Sequence, residues 1–143
     1  MIRRLALFLL WCGLACALPL APPALARSAA VVPAADLRGV WRNPDRSVLV
    51  RIDQCGGEIC GVVVGANASA IADARDGGYP QLIGLTLLYG YRATGPVHWV
   101  GRVLVPDLGH VFSSHIDLVD PRHARIAGCL FRQHLCQTQV WER

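Results

Sequence analysis

The chain has 143 residues, 53% of them hydrophobic, and a formal net charge of +4. Its 14 positive residues are all arginines, and almost all of them stand singly, whereas nucleic-acid-binding proteins concentrate positive charge on a stripe or patch. Length and charge therefore indicate one folded domain and exclude a typical nucleic-acid binder.

The first 26 residues have the three regions of a secretory signal peptide. Arg3 and Arg4 supply the positive region, residues 5–17 the apolar region, and a small-x-small cleavage site ends at Ala26. Cleavage there removes two positive charges and lowers the net charge from +4 to +2. Beyond this leader no apolar run approaches the ~18 residues that span a bilayer, so we predict no transmembrane segment.

Export can produce either a free protein or a lipid-anchored one. Cys16 follows an apolar run and is the candidate for lipidation, but Gly13 stands where a lipoprotein signal has leucine. We therefore predict a signal peptide at 1–26, a flexible tail at 27–36 and a single domain at 37–143, located in the periplasm or secreted. A lipoprotein anchored at Cys16 is the alternative.

Four cysteines remain after the leader, and an even number in an oxidising compartment favours disulfides. Of the three possible connectivities we favour Cys55 with Cys60 and Cys129 with Cys136, because each pair is predicted at facing positions where two antiparallel strands leave a turn. A four-cysteine zinc site is the alternative, but these spacings exceed the usual gap between zinc ligands. We predict no metal and no cofactor.

Short β-strand patterns fill the domain. Residues 47–55 are typical: Val48, Val50 and Ile52 alternate with polar residues, as in a strand with one buried face. Further strands are predicted at 39–41, 61–64, 82–91, 97–105, 110–118, 124–131 and 135–141.

The connections between these strands are mostly short and rich in Gly, Pro, Asn and Asp. Residues 66–80 are the exception, and we predict a long loop there with a helical turn around 70–74. Seven or eight short strands in close succession predict an all-β fold, a small antiparallel up-and-down barrel. Closure into a barrel leaves no unpaired edge strands. A two-sheet β-sandwich is the alternative.

An ordered set of motifs across 37–143 resembles the small exported bacterial proteins of domain-of-unknown-function family 2147. The motifs that carry the resemblance are Gly39-Val40-Trp41, Cys55-Gly56, Cys60-Gly61, Gly84-Leu85, Trp99-x-Gly101, Pro106-x-x-Gly109-x-x-Phe112, Gly128-Cys129 and Trp141-x-Arg143. The resemblance implies export and a common fold, and it implies no reaction.

The two ends of the domain are also similar to lipocalin-type barrels, in which an arginine near the last strand covers a tryptophan in the first. Gly39, Trp41 and Arg143 match that arrangement. The resemblance implies a structural role for these three residues, with the guanidinium packed over the indole at one end of the barrel. We predict a structural role for Trp141 as well.

The sequence contains no hydrolase, metalloprotease, phosphate-binding or dinucleotide-binding motif. His115 and Asp117 lie two apart on one strand face and could bind a metal or exchange a proton, but the same spacing is typical of a solvated pair on the outside of a barrel. Cysteines in disulfides leave no thiol nucleophile. We therefore assign no catalytic residue and do not predict an enzyme.

Strand alternation places aromatic and amide side chains inside the barrel, a mixture found in small-molecule sites. The predicted pocket residues are Tyr89, Trp99, Phe112, Gln137 and Gln139. They predict that an exported barrel binds a small apolar or amphiphilic ligand. The alternative is a structural or protein-interaction module of the cell envelope with a filled core and no ligand.

Overall fold

The computed structural model describes residues 36–130 and 135–143. The eight strands are β1 (Gly39–Arg42), β2 (Val48–Cys55), β3 (Glu58–Ala66), β4 (Thr86–Ala93), β5 (His98–Val105), β6 (His110–Asp120), β7 (His123–Cys129) and β8 (Cys136–Glu142). Helix α1 (Ala68–Asp76) joins β3 to β4, and a 3-10 helix (Pro106–Leu108) joins β5 to β6.

The predicted signal peptide, with Ala26 and Cys16, and nearly all of the predicted tail lie outside the described residues. Neither described helix is long and apolar enough to cross a membrane.

The strands form a closed antiparallel barrel in sequence order. Each strand pairs with its neighbours in the chain, and β1 closes the barrel against β8 where Arg42 lies opposite Glu142. The predicted up-and-down barrel is confirmed, and the sandwich alternative is wrong. Within the described residues the β1–β8 pairing consists of this one residue pair, whereas every other strand pairing is longer, so the barrel is least tightly closed at this seam.

The segment predicted as a long loop contains a helix. Helix α1 begins after Asn67, whose side chain accepts a hydrogen bond from the backbone N–H of Ala70 at 2.9 Å, and Ala74 is its buried residue. The sequence shows little amphipathic pattern here because the helix packs on the core through one turn only, with Ala70, Ile71 and Ala74. The predicted turn at 70–74 was therefore too short.

Strand β4 also differs from the prediction. An unbroken alternation would put Tyr89 and Tyr91 on one face, but the register shifts between Tyr89 and Arg92, and Gly90 there has φ of 59°. Such a bulge inserts one residue and reverses the alternation. As a result Leu88 and Tyr91 are both buried, whereas Tyr89 lies opposite the exposed Arg102.

One end of the barrel, called here the closed end, is filled by Leu37, Trp41, Tyr91 and Trp99, all of them buried. The indole N–H of Trp41 donates to the carbonyl oxygen of Leu37 at 2.8 Å. The guanidinium of Arg143 lies 4.6 Å from the centroid of the Trp41 ring. This is the arrangement that the lipocalin resemblance implies, and it closes this end.

A layer above the closed end is held by one buried hydrogen bond. The hydroxyl of Tyr91 donates to Ser114 Oγ at 2.5 Å, and both residues are buried. The Tyr91 ring packs on Gly101, where an added Cβ would lie 2.6 Å from a ring carbon. Burial raises the pKa of Tyr91 above its ordinary value, so this hydroxyl stays protonated and donates at every ordinary pH.

We expect Tyr91→Phe to lower the free energy of unfolding by about 1–3 kcal/mol, because it leaves Ser114 Oγ buried without its donor. Combining it with Ser114→Ala should cost less than the sum of the two single changes, since neither polar partner is then left alone. Urea unfolding measures all three variants. Tyr79→Phe is the control, because the Tyr79 hydroxyl makes no hydrogen bond to any described residue. Additive single and double variants would contradict the coupling.

The cysteines form the two predicted local pairs, Cys55 with Cys60 and Cys129 with Cys136. Cys129 lies directly opposite Cys136 in the β7–β8 ladder. Cys55 is not directly opposite Cys60, whose partner in the β2–β3 ladder is Asp53, so this bridge is diagonal and the predicted facing position was wrong in detail. Two disulfides are typical of proteins in an oxidising compartment.

Candidate functional site

The barrel end opposite the closed end, called here the open end, carries a cavity of about 750 Å³. In an up-and-down barrel alternate connections lie at the same end. The β1–β2 turn, α1 and the 3-10 helix therefore lie at the open end, together with Leu130 and Leu135 after β7 and before β8. Helix α1 packs against the 3-10 helix, where Gly77 contacts the backbone of Pro106. These two elements form one side of the cavity mouth.

The walls of the cavity are apolar. Leu88, Val103 and Phe112 are direct neighbours across β4, β5 and β6, so their side chains form one continuous wall. Ile126 and Trp141 continue this surface on β7 and β8. A surface of this kind can enclose a hydrocarbon chain, because each apolar group buried on binding is removed from water.

Two glutamines of β8 supply the amide groups of the cavity. Gln137 and Gln139 lie opposite Gly128 and Ile126 and point inward, yet both are exposed because the barrel is hollow at this end. The Gln139 Oε1 atom accepts a hydrogen bond from Trp141 Nε1 at 2.9 Å, which orients that amide. The Gln137 amide makes no hydrogen bond to a described residue and is available to a ligand.

The described part of the cavity mouth is acidic. Asp45 in the β1–β2 turn, Asp73 on α1 and Asp107 on the 3-10 helix all line it. All three are exposed, and none forms an ion pair with a residue of the described ranges. No arginine or histidine of 36–130 or 135–143 lines the cavity. The described residues that line the mouth therefore include three carboxylates and no cation.

A model of the family described as an uncharacterized protein conserved in bacteria (DUF2147) matches residues 39–143. The chain belongs to this family. A search of the curated proteins found no significant match.

Among solved structures, the DUF2147 barrel is similar to protein HP1028 from Helicobacter pylori, which is described as belonging to the lipocalin family. The two chains are 12% identical, with a TM-score of 0.62 over 76% of this chain and 82% of that one. At this identity the likeness shows the fold alone. The predicted membership of the family and the lipocalin-like barrel are both confirmed.

Three of the five predicted pocket residues line the open-end cavity of the DUF2147 barrel, namely Phe112, Gln137 and Gln139. Trp99 does not line it and belongs to a separate recess of about 450 Å³ at the closed end. Tyr89 lines neither cavity, because the bulge at Gly90 turns it away.

Sequence reasoning missed the acidic mouth and much of the apolar wall. Asp45, Asp73 and Asp107 lie in three connections far apart in the chain, and each has the composition of an ordinary turn or helix surface. Only the rule that alternate connections of an up-and-down barrel lie at the same end could have placed these three residues together. His115 and Asp117 lie on the outer face of β6, because the alternate residues Ser114 and Ile116 are buried inside the barrel.

Proposed function

We propose that this protein binds a small amphiphile in the open-end cavity, with the apolar part of the ligand against the Leu88, Val103 and Phe112 wall. The observation that carries the proposal is a cavity of about 750 Å³ with apolar walls and a few polar groups. Ligand sites in proteins are typically clefts of about 300–1,000 Å³ with this composition. A barrel with a filled core has no such space.

The polar groups favour a ligand head group that is uncharged or positive. A carboxylate or phosphate entering the mouth meets Asp45, Asp73 and Asp107, whereas an amine is attracted by them and a hydroxyl or amide can hydrogen-bond to Gln137. Each carboxylate is exposed and contributes only about 1 kcal/mol or less to a charge several ångströms away. We therefore expect selectivity of about tenfold between head groups, decreasing as salt is added.

A matched ligand series tests both parts of the proposal. We expect an n-alkyl amine to bind at least as tightly as the n-alkyl alcohol of equal chain length, and the corresponding fatty acid to bind most weakly, by calorimetric titration at low salt. Affinity should rise with chain length until the cavity is filled, because each buried methylene contributes about 0.8 kcal/mol. Equal or tighter binding of the fatty acid would contradict the proposed head-group preference.

The double variant Asp73→Asn, Asp107→Asn is expected to reduce the difference between amine and fatty acid and to leave the alcohol unaffected. Asp53→Asn is the matched control, because it removes one carboxylate from the outside of β2 near the closed end. If no member of the series binds at all, the alternative of a structural or interaction module of the cell envelope is favoured.

We place this binding outside the cytoplasm. The two disulfides are typical of an oxidising compartment, and the predicted signal peptide at 1–26 would deliver the chain there. A periplasmic or secreted barrel encounters amphiphiles of the envelope or the medium, which are the ligand class that the cavity walls suit.

A further inference from the structure

A second group of reactive side chains lies on the outer face of the barrel, separate from the cavity. This outer cluster consists of His98 on β5, His115 and Asp117 on β6, Cys129 on β7 and Cys136 on β8. Strand pairing brings its members together: Asp117 lies opposite His98, and Cys129 lies opposite Cys136. None of the five lines the cavity.

One nitrogen of His115 points at the disulfide. Its Nδ1 atom lies 4.0 Å from Cys129 Sγ, and the ligand atoms of His115, Cys129 and Cys136 all lie within 4.8 Å of one another. Cys129 is opposite Ser113 in the ladder, one position along the same outer row from His115, so the approach follows from the register of β6 and β7. Two sulfurs and an imidazole nitrogen thus lie close enough together to bind one metal ion.

The other nitrogen of His115 faces a carboxylate. The Nε2 atom lies 3.9 Å from Asp117 Oδ2, and the second oxygen of Asp117 lies 2.5 Å from His98 Nδ1, which holds the carboxylate in place. The rings of His98 and His115 lie 5.6 Å apart. A histidine that binds a metal through one nitrogen usually directs the other at a carboxylate, which orients the ring and raises its basicity. In His115 the second nitrogen faces the Asp117 carboxylate at 3.9 Å, so a small rotation of the ring on metal binding would bring the two into hydrogen-bond distance.

We propose that reduction of the Cys129–Cys136 disulfide creates a zinc site, in which the two thiolates and Nδ1 of His115 are the ligands and a water fills the fourth position. Two cysteines and one histidine with an open fourth position are an established ligand set for zinc, and thiolate ligands favour it over harder cations. Asp117 is the positioning residue that orients His115, and His98 anchors Asp117.

The chemistry balances with a dithiol as reductant. A dithiol donates two electrons and two protons, the bond between Cys129 Sγ and Cys136 Sγ breaks, two thiols form, and the dithiol becomes a disulfide. Zinc binding then releases the two thiol protons. Cys136 is an exposed residue, whereas Cys129 is buried beside His115, so we expect the dithiol to attack at Cys136. The oxidised protein has no thiolates and should not bind zinc at this site.

The other disulfide is a control within the same chain. Cys55 and Cys60 also bridge two antiparallel strands, but they belong to no group of three potential ligands within the described residues. In the exported protein, without residues 1–26 and reduced with a water-soluble phosphine, Cys55→Ser, Cys60→Ser should still bind one zinc ion, and Cys129→Ser, Cys136→Ser should not. Competition with a zinc chelator dye measures the affinity, and cobalt substitution reports thiolate ligands by sulfur-to-metal charge-transfer absorption.

Histidine variants test the nitrogen ligand. His115→Ala should weaken zinc binding by at least about tenfold, whereas His110→Ala, at the exposed start of the same strand, should leave it unchanged. Asp117→Asn should weaken zinc binding by about 10–100-fold without changing the unfolding midpoint of the reduced, metal-free protein. Loss of affinity together with an equal loss of metal-free stability would indicate a structural role only and would overturn the assignment of Asp117.

Three results would overturn the zinc site itself. They are binding by the oxidised protein at the same affinity, retention of binding in Cys129→Ser, Cys136→Ser, and an affinity that His115→Ala leaves unchanged. Should His115→Ala fail to fold, as judged by circular dichroism, His115→Gln tests the same ligand with a side chain of similar volume. Because none of these residues lines the cavity, the outcome is independent of amphiphile binding.

Discussion

Replacing Gln137 by tryptophan is expected to weaken alkyl-ligand binding by about tenfold or more and to leave the barrel folded. Gln137 points into the open-end cavity from β8, opposite Gly128, so an indole at this position occupies space between the apolar walls. Overpacking of a filled site costs about 1–3 kcal/mol, and 1.4 kcal/mol corresponds to a factor of ten in affinity. Calorimetric titration with an n-alkyl alcohol, which carries no charge, measures the loss.

Strand alternation provides the matched control. Val140→Trp adds the same side chain to the same strand, but Val140 is about half exposed and lies opposite Arg125 on the outer face. It should therefore bind the alcohol with unchanged affinity. Equal affinities of Gln137→Trp and Val140→Trp would mean that the ligand does not occupy the cavity, and the binding proposal would have to be abandoned.

We expect Gly77→Ala to lower the free energy of unfolding by about 1–3 kcal/mol and to weaken ligand binding as well. A Cβ at Gly77 would overlap the carbonyl oxygen of Pro106 and lie 2.9 Å from the carbonyl carbon of Asp107. Both are backbone atoms, so no side-chain rotation can relieve the overlap. Helix α1 and the 3-10 helix would have to separate, and both carry carboxylates of the cavity mouth. Thermal unfolding and alkyl-amine titration measure the two effects.

The effect at Gly77 is steric, because its φ of −77° is accessible to any residue. Gly57→Ala is the control, since a Cβ there has no neighbour within 4 Å and this glycine does not have a positive φ. Gly57→Ala should unfold close to the wild type. A Gly77→Ala protein with wild-type stability and wild-type amine affinity would show that α1 does not need its close contact with the 3-10 helix.

Each part of the proposed ligand site is tested by a different variant. Gln137→Trp tests whether the cavity is occupied, whereas the aspartate variants test which head group the mouth accepts. Gly77→Ala tests whether α1 holds the mouth together. The zinc site depends on residues outside the cavity, so zinc binding to the reduced protein can succeed or fail whichever ligand the cavity accepts.

Local patterns in the sequence determined the strands, the turns between them and both disulfides. Alternation is a property of the strand itself, so Val48, Val50 and Ile52 reveal their strand without knowledge of the fold. The two cysteine pairs are likewise local, because each bridges the ends of adjacent strands. The same alternation placed Phe112, Gln137 and Gln139 inside the barrel, and all three line the cavity.

Only the tertiary structure decided where the space inside the barrel lies. Gly90 reverses the alternation of β4 and removes Tyr89 from the interior. An isolated glycine in a strand pattern suggests a bulge, but it does not fix the register on either side of it. Helix α1 lacks an apolar stripe and is held by the Asn67 cap and by contact with the 3-10 helix, which is distant in sequence. The acidic mouth and the outer cluster arise in the same way: strand order and register bring together residues that no short stretch of sequence contains, because their contacts form only when the barrel closes.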